Sequence, residues 1–312
     1  MKRISRILTL LFLAGFLNQS LADSRIAFVR SVSEDTHDAW VVNLDGTNQQ
    51  RITSGHCVIS TKWLDSKTVA VISQADIWLI KVNEDNCRGR ATRLTEFGDV
   101  INLSCSADGK WLAFTRANYE SDKLPEGVTL RLSIIDRNGE NYQVLKDIDN
   151  DMATDLISCF GPRGVFYTSN DFENGNVPVI CRIDLSDRRE RVIFSFPYVE
   201  PHGPSEDIID DLDCSKGGQK IIFSGFLHRD SLGKIISRSF LKLYDIEKQQ
   251  GKTILQTNNI SLGCSFMPGE KEILIGYLFS GRSNSDLCTF SLSSPSKPKL
   301  LVRDGFWPDV WY

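Results

Sequence analysis

The residues of this sequence whose types and spacing suit chemistry are carboxylates, histidines, cysteines and loop aromatics. Carboxylates gather twice: Asp147, Asp149, Asp151 and Asp155 form one run, and Glu206, Asp207, Asp210 and Asp211 another. Carboxylates held close together repel, so a hard cation such as Ca²⁺, or a basic segment of a partner, would stabilise them. The Asp-x-Asp-x-Asp order at 147–151 lacks the following Gly and distal Glu of an EF-hand loop, and that motif is rejected. A solvated acidic rim that serves solubility is the plain alternative. The four histidines, His37, His56, His202 and His228, show no His-x-His or His-Glu-x-x-His spacing, so spacing leaves metal ligands unknown. There is no Gly-x-Ser-x-Gly elbow and no Gly-rich phosphate loop, and no catalytic residue is nominated.

What must position these groups is a repeat. Ser104-Cys-Ser-Ala-Asp-Gly-Lys-Trp-Leu-Ala-Phe-Thr-Arg116 reads as a strand end, an Asp108-Gly109 turn and a second strand. Asp-Gly between two apolar runs is a strong hairpin signal, because both turn residues tolerate positive φ. The strand after this turn recurs as Ile26-Ala-Phe, Val69-Ala-Val, Leu112-Ala-Phe, Val165-Phe-Tyr, Ile221-Ile-Phe and Ile273-Leu-Ile, at spacings of 43, 43, 53, 56 and 52 residues. That is at or a little above the blade period of a β-propeller. A third and a shorter fourth strand follow each copy, as in Ile77-Trp-Leu-Ile-Lys-Val and then Thr92-Arg-Leu-Thr. The first unit lacks its inner strand, and the tail Gly305-Phe-Trp-Pro-Asp-Val-Trp-Tyr312 supplies a surplus one. Pairing the two removes unsatisfied sheet edges. The expectation is all-β: one six-bladed propeller of four-stranded antiparallel blades over residues 23–312, closed by the C-terminal strand.

Residues 1–22 read as a secretory signal peptide. A basic start (Lys2, Arg3, Arg6) precedes an apolar run, Ile7 to Leu17, and the small-residue pattern Ser20-Leu21-Ala22. The run is about half the roughly 20 residues a spanning helix needs, and no later stretch is apolar enough to cross a bilayer. The chain is therefore expected to be exported, periplasmic or secreted, with no transmembrane segment after cleavage. Losing the signal takes the formal charge from −4 to about −7, which argues against nucleic acid.

The Ser-Ala-Asp-Gly-Lys-Trp-Leu-Ala-Phe stretch, followed by Ile134-Ile-Asp-Arg-Asn-Gly139, resembles the repeats of the TolB-like propeller family. The resemblance implies six blades and the same end closure. TolB itself carries an α/β domain before its propeller, for which this chain has no room, so a stand-alone propeller is expected.

Propeller topology sends the second-to-third and fourth-to-first connections to one face. The histidines are expected there, His37 and His228 in the former and His56 and His202 in the latter. Both acidic groups are expected to flank the channel mouth on that face. Tyr119, Phe172 and Phe226 fall in long second-to-third loops, where aromatics can anchor a partner. Cys105, Cys159, Cys214 and Cys264 are read as one repeat-equivalent position before the first turn. Cys181 and Cys288 sit in third strands, too far across a blade to be bridged to it, so mostly free thiols are expected among the eight cysteines. The resulting expectation is a monomeric, non-enzymatic module that binds a protein or peptide through its acidic, loop-rich face, with Ca²⁺ at the mouth as the one cofactor considered. The alternatives are a metal-dependent polysaccharide lyase or hydrolase, and a structural module of a cell-envelope assembly.

Overall fold

The Asp-Gly turn folds as its chemistry dictates. Gly109 adopts φ +63°, its N–H donates to the Ser106 carbonyl at 2.8 Å, and the Asp108 carboxylate accepts from the Ser106 hydroxyl at 2.8 Å. The computed structural model describes residues 24–33, 35–82, 90–118, 128–150, 156–171, 177–196, 208–230, 235–257, 261–279, 284–294 and 298–311.

Among the described residues twenty-four strands form six antiparallel sheets of four, each running from the axis outward. Blade 1 combines Phe306–Trp311 (β24) with Arg25–Ser33 (β1), Thr36–Asn43 (β2) and Gln50–Arg51 (β3). Blade 2 is Val58–Asp65 (β4), Thr68–Ser73 (β5), Asp76–Lys81 (β6) and Ala91–Arg93 (β7). Blade 3 is Val100–Cys105 (β8), Trp111–Asn118 (β9), Val128–Asp136 (β10) and Gln143–Asn150 (β11). Blade 4 is Ser158–Gly161 (β12), Gly164–Asp171 (β13), Val177–Asp184 (β14) and Glu190–Ser195 (β15). Blade 5 is Ile208–Cys214 (β16), Lys220–Asp230 (β17), Ile235–Asp245 (β18) and Gln250–Thr257 (β19). Blade 6 is Ser261–Phe266 (β20), Glu272–Tyr277 (β21), Asp286–Ser291 (β22) and Lys299–Val302 (β23). The inner strands adjoin in the cycle β24, β4, β8, β12, β16, β20 and back to β24.

Both faces of each blade pack on a neighbour, which explains why second strands read as unbroken apolar runs. Every residue of β5 is buried. The six apolar clusters lie between blades: Val41 with Trp63 and Val69, for instance, or Cys159 with Leu212 and Phe223. Carboxylates at the head of third strands pin the connections on the same face. Asp76 accepts from Thr95 Oγ1 at 2.9 Å, Phe97 N at 2.7 Å and Arg93 Nη2 at 2.6 Å, and Asp38 does the same with Thr53, His56 N and Arg51.

The closure expected from the tail is present. Arg25 pairs with Trp311, Ile26 with Val310 and Ala27 with Asp309. Because β24 supplies the axial side of blade 1, a chain ending at Gly305 leaves Phe28 and Ile26, both fully buried, facing an open seam. That truncated protein is expected to elute as aggregate and to lose its cooperative thermal transition, and a synthetic 306–312 peptide added in trans should restore both; a monomeric truncation with unchanged Tm would contradict it.

Three local expectations differ from the structure. His37 and His228 lie within strands, paired with Ser31 and Ser237, because the hairpins of blades 1 and 5 extend further than their loop-like sequences suggest. Asp147 and Asp149 belong to β11, the outermost strand of blade 3, rather than to a loop leading to the axis. The four cysteines share no single repeat position: Cys105 pairs with Leu112 and Cys214 with Ile221, whereas Cys159 lies one residue earlier, opposite Phe166, and Cys264 two earlier, opposite Ile275.

Candidate functional site

An inner strand has no ladder partner on its axial side, so its outward N–H groups need acceptors from elsewhere. In blades 2, 4 and 6 they come from the preceding blade. Asp309 Oδ2 accepts from Trp63 N at 2.7 Å, Asn102 Oδ1 from Ser158 N at 3.1 Å and Asp213 Oδ2 from Phe266 N at 2.9 Å; Asp211 accepts from Cys264 N. Carboxylates on the channel wall thus join one blade to the next.

The register places one residue of every blade at the same height. Lys62 lies opposite Ala70, Ser104 opposite Ala113, Cys159 opposite Phe166, Asp213 opposite Ile222, Ser265 opposite Leu274 and Asp309 opposite Ala27. All six line a cavity of about 110 Å³ that opens beside the first turns. Above this ring the register slips in the inner strand of five blades, at Val58/Ser60, Val100/Asn102, Ile209/Asp211, Ser261/Cys264 and, in blade 1, where Trp307 takes φ +47°. Such bulges re-aim side chains. Beyond them a second cavity of about 170 Å³ lies among Ser60, Asn102, Ile157, Asp211 and Trp307, with Lys62 shared between the two.

Lys62 is the one cation of the ring. Its Nζ stands 3.5 Å from Asp309 Oδ1, and the two side chains keep 16% and 15% of their surface. Burial alone would lower the ammonium pKa, but Asp309, Asp211 and Asp213 hold it above its ordinary value, so it stays charged. Burial raises the Asp213 carboxyl to about 6 and raises Asp309 as well, with Lys62 opposing both. Burial also pushes up the thiols of Cys105, Cys159 and Cys264, which keeps them protonated and poorly nucleophilic.

Of the nominated partner-binding residues, Asp210 and Asp211 come together on the wall of the upper cavity. Asp210 accepts from the Ser224 hydroxyl at 2.5 Å. Asp149 is instead held on the outer strand opposite Thr129, away from the channel lining. Phe226 lies in β17, half-buried and opposite Ile208. Asp151, Asp155, Glu206, Asp207, Tyr119, Phe172 and His202 lie outside the described residues. Among the described residues no three His, Cys, Asp or Glu side chains gather as a metal-binding group. Sequence reasoning missed Lys62, Asp213 and Asp309; the available signal was the residue just before the last inner-strand position of each repeat.

The sequence matches no protein-family model and no curated protein. Its backbone does match solved structures. TolB from Acinetobacter baumannii aligns with a TM-score of 0.67 and 18% identity over 92% of this chain and 66% of that one. The chain therefore spans about two thirds of the length of TolB. The fold is that of a TolB-like six-bladed propeller. A putative TolB from Agrobacterium tumefaciens shares it with a TM-score of 0.59 and 12% identity, covering 90% of both chains. So does an oligogalacturonate lyase solved with manganese, with a TM-score of 0.58 and 9% identity over 91% of this chain and 75% of that one. The TolB-like propeller of this chain thus shares its backbone with proteins named for different activities, and its own function has to be read from its channel. Among the described residues no helix is long and apolar enough to cross a membrane.

Proposed function

We propose that this TolB-like propeller is an exported, non-enzymatic module that holds a protein or peptide partner at the upper mouth of its channel. The observation that carries the reading is the pairing of charge and apolar surface there. Asp210 and Asp211 line the same cavity as half-buried Ile59 and Trp307 and exposed Ile101. That surface suits an extended segment carrying a Lys or Arg next to an apolar residue. The cavities also favour inserted side chains over an enclosed substrate, since small-molecule pockets run to about 300–1,000 Å³.

Selection from a random peptide library is the direct test. Enriched peptides should pair a basic with an apolar residue, and Asp210→Asn, which keeps an acceptor for Ser224, should weaken them about tenfold, as should Ile101→Glu. Enrichment of acidic peptides, or affinities unmoved by both variants, would remove the proposal. A Ca²⁺ ion is the competing occupant of the same carboxylates, and a rise in Tm with added Ca²⁺ that Asp210→Asn abolishes would favour it.

A second reading, a metal-dependent lyase or hydrolase acting on polysaccharide, is favoured by the fold shared with the manganese-containing lyase. Metal content of the purified protein and its thermal shift with Mn²⁺ test that reading. A structural role in an envelope assembly would show as co-elution in one large complex.

A further inference from the structure

Between adjacent blades the ring residue of one blade faces the next-register residue of the following blade. Asp309 reaches the Trp63 backbone and Asp213 the Phe266 backbone in this way. Carried around the toroid by register, the same rule matches Asp309 with Trp63, Lys62 with Cys105, Ser104 with Phe160, Cys159 with Cys214, Asp213 with Phe266, and Ser265 with Val310. The pair between blades 4 and 5 alone sets thiol against thiol. Both cysteines line the lower cavity, and both pack in one apolar cluster with Leu212 and Ile221. Cys214 Sγ is confined on the blade 4 side, where a Cβ at Gly161 would come within 3.3 Å of it. The Cys214 thiol donates to the Ser215 carbonyl at 3.4 Å, as the Cys105 thiol does to that of Ser106 at 3.3 Å, but by register Cys105 meets Lys62 and not a second thiol.

We propose that Cys159 and Cys214 form a redox pair that closes into an inter-blade disulfide joining β12 to β16. The chemistry is thiol–disulfide exchange with an external disulfide, either a small-molecule disulfide or an oxidised dithiol protein. The thiolate of one cysteine attacks a sulfur of that oxidant and releases one thiol; the second cysteine, as thiolate, then attacks the mixed disulfide and releases the other. The protein loses two electrons and two protons, and the oxidant becomes two thiols. Burial keeps Cys159 protonated in the closed ring, so exchange belongs to the stage before blades 4 and 5 seat together, or to transient opening at the lower mouth. The pairing is independent of the partner-binding reading; export decides only whether the cell supplies the oxidant.

The test refolds the full chain from denaturant with oxidised glutathione and compares it with a sample kept reduced. The expected product has two fewer titratable thiols, yields a cross-linked peptide pair containing Cys159 and Cys214, and melts several degrees higher until reductant is added. Cys159→Ser or Cys214→Ser should abolish the cross-link and the Tm difference together. An unchanged thiol count, or linkage among other cysteines while Cys159 and Cys214 stay alkylatable, overturns the proposal. Because the decisive reading is peptide mapping of the wild-type chain, poor folding of a serine variant does not blunt it.

Discussion

Gly109→Ala is expected to remove more than about 4 kcal/mol of stability, enough to unfold a domain of ordinary stability under mild conditions. Two causes add. The residue sits at φ +63°, where an L side chain costs about 1–2 kcal/mol. A Cβ there would also fall 1.7 Å from the Leu64 carbonyl oxygen and 2.8 Å from its carbon, and both are backbone atoms at the end of β4 in the preceding blade. Neither the turn nor the strand can give way without breaking contact between blades 2 and 3. Gly269 provides the control, with φ +78° but nothing within 4 Å of an added Cβ. Gly269→Ala should therefore cost only the conformational term, about 1–2 kcal/mol. Urea midpoints for the two variants measure the difference, and equal losses would show that the close approach to Leu64 is not what matters.

Lys62→Met should cost about 3–5 kcal/mol at pH 7, because it leaves Asp309, Asp213 and Asp211 on the channel wall without their cation. The loss should depend on pH in a defined sense. Asp213 has a folded pKa raised from 3.8 to about 6, so the stability linked to its proton is fully present below pH 3.8 and lost as pH rises through 6. Lys62 opposes that rise at both Asp213 and Asp309, so its removal pushes both carboxyls higher and widens the window upward. The variant should lie closest to wild type near pH 4 and fall furthest behind at pH 7–8. Adding Asp309→Asn to Lys62→Met should recover part of the loss at pH 7. A penalty independent of pH from 4 to 8, or no recovery in the double variant, would show that the Lys62 charge is not what holds the ring.

The architecture is legible because it rests on features that sequence carries locally. The six apolar strand cores and the Asp108–Gly109 turn suffice to place the blades, and the surplus strand at Phe306–Trp311 suffices to close them. The channel is less legible for a specific reason. Its lining depends on register, and a slip of one residue turns a side chain to the other face of the sheet. The bulges of β4, β8, β16, β20 and β24 introduce such slips without a sequence marker. Cys159 accordingly aligns by sequence with Cys105 and Cys214, yet it stands one position before them. Lys62, between Thr61 and Trp63, reads as an ordinary surface lysine until the neighbouring blades are in place. Asp149 misleads in the opposite direction: an acidic run resembles a loop, yet it continues β11 as an outer edge strand.

The seam where β24 meets β1 bears on how the molecule comes into being as well as on how it stays together. Contacts between segments so distant in sequence carry a high entropic threshold and form late. Five sheets can assemble as their strands emerge, but the sheet of blade 1 must wait for β24, which follows every other strand. Until then the nascent toroid presents an open flank that another copy's tail can fill, so exchange of that terminal strand between molecules is the misassembly to which this topology is most exposed.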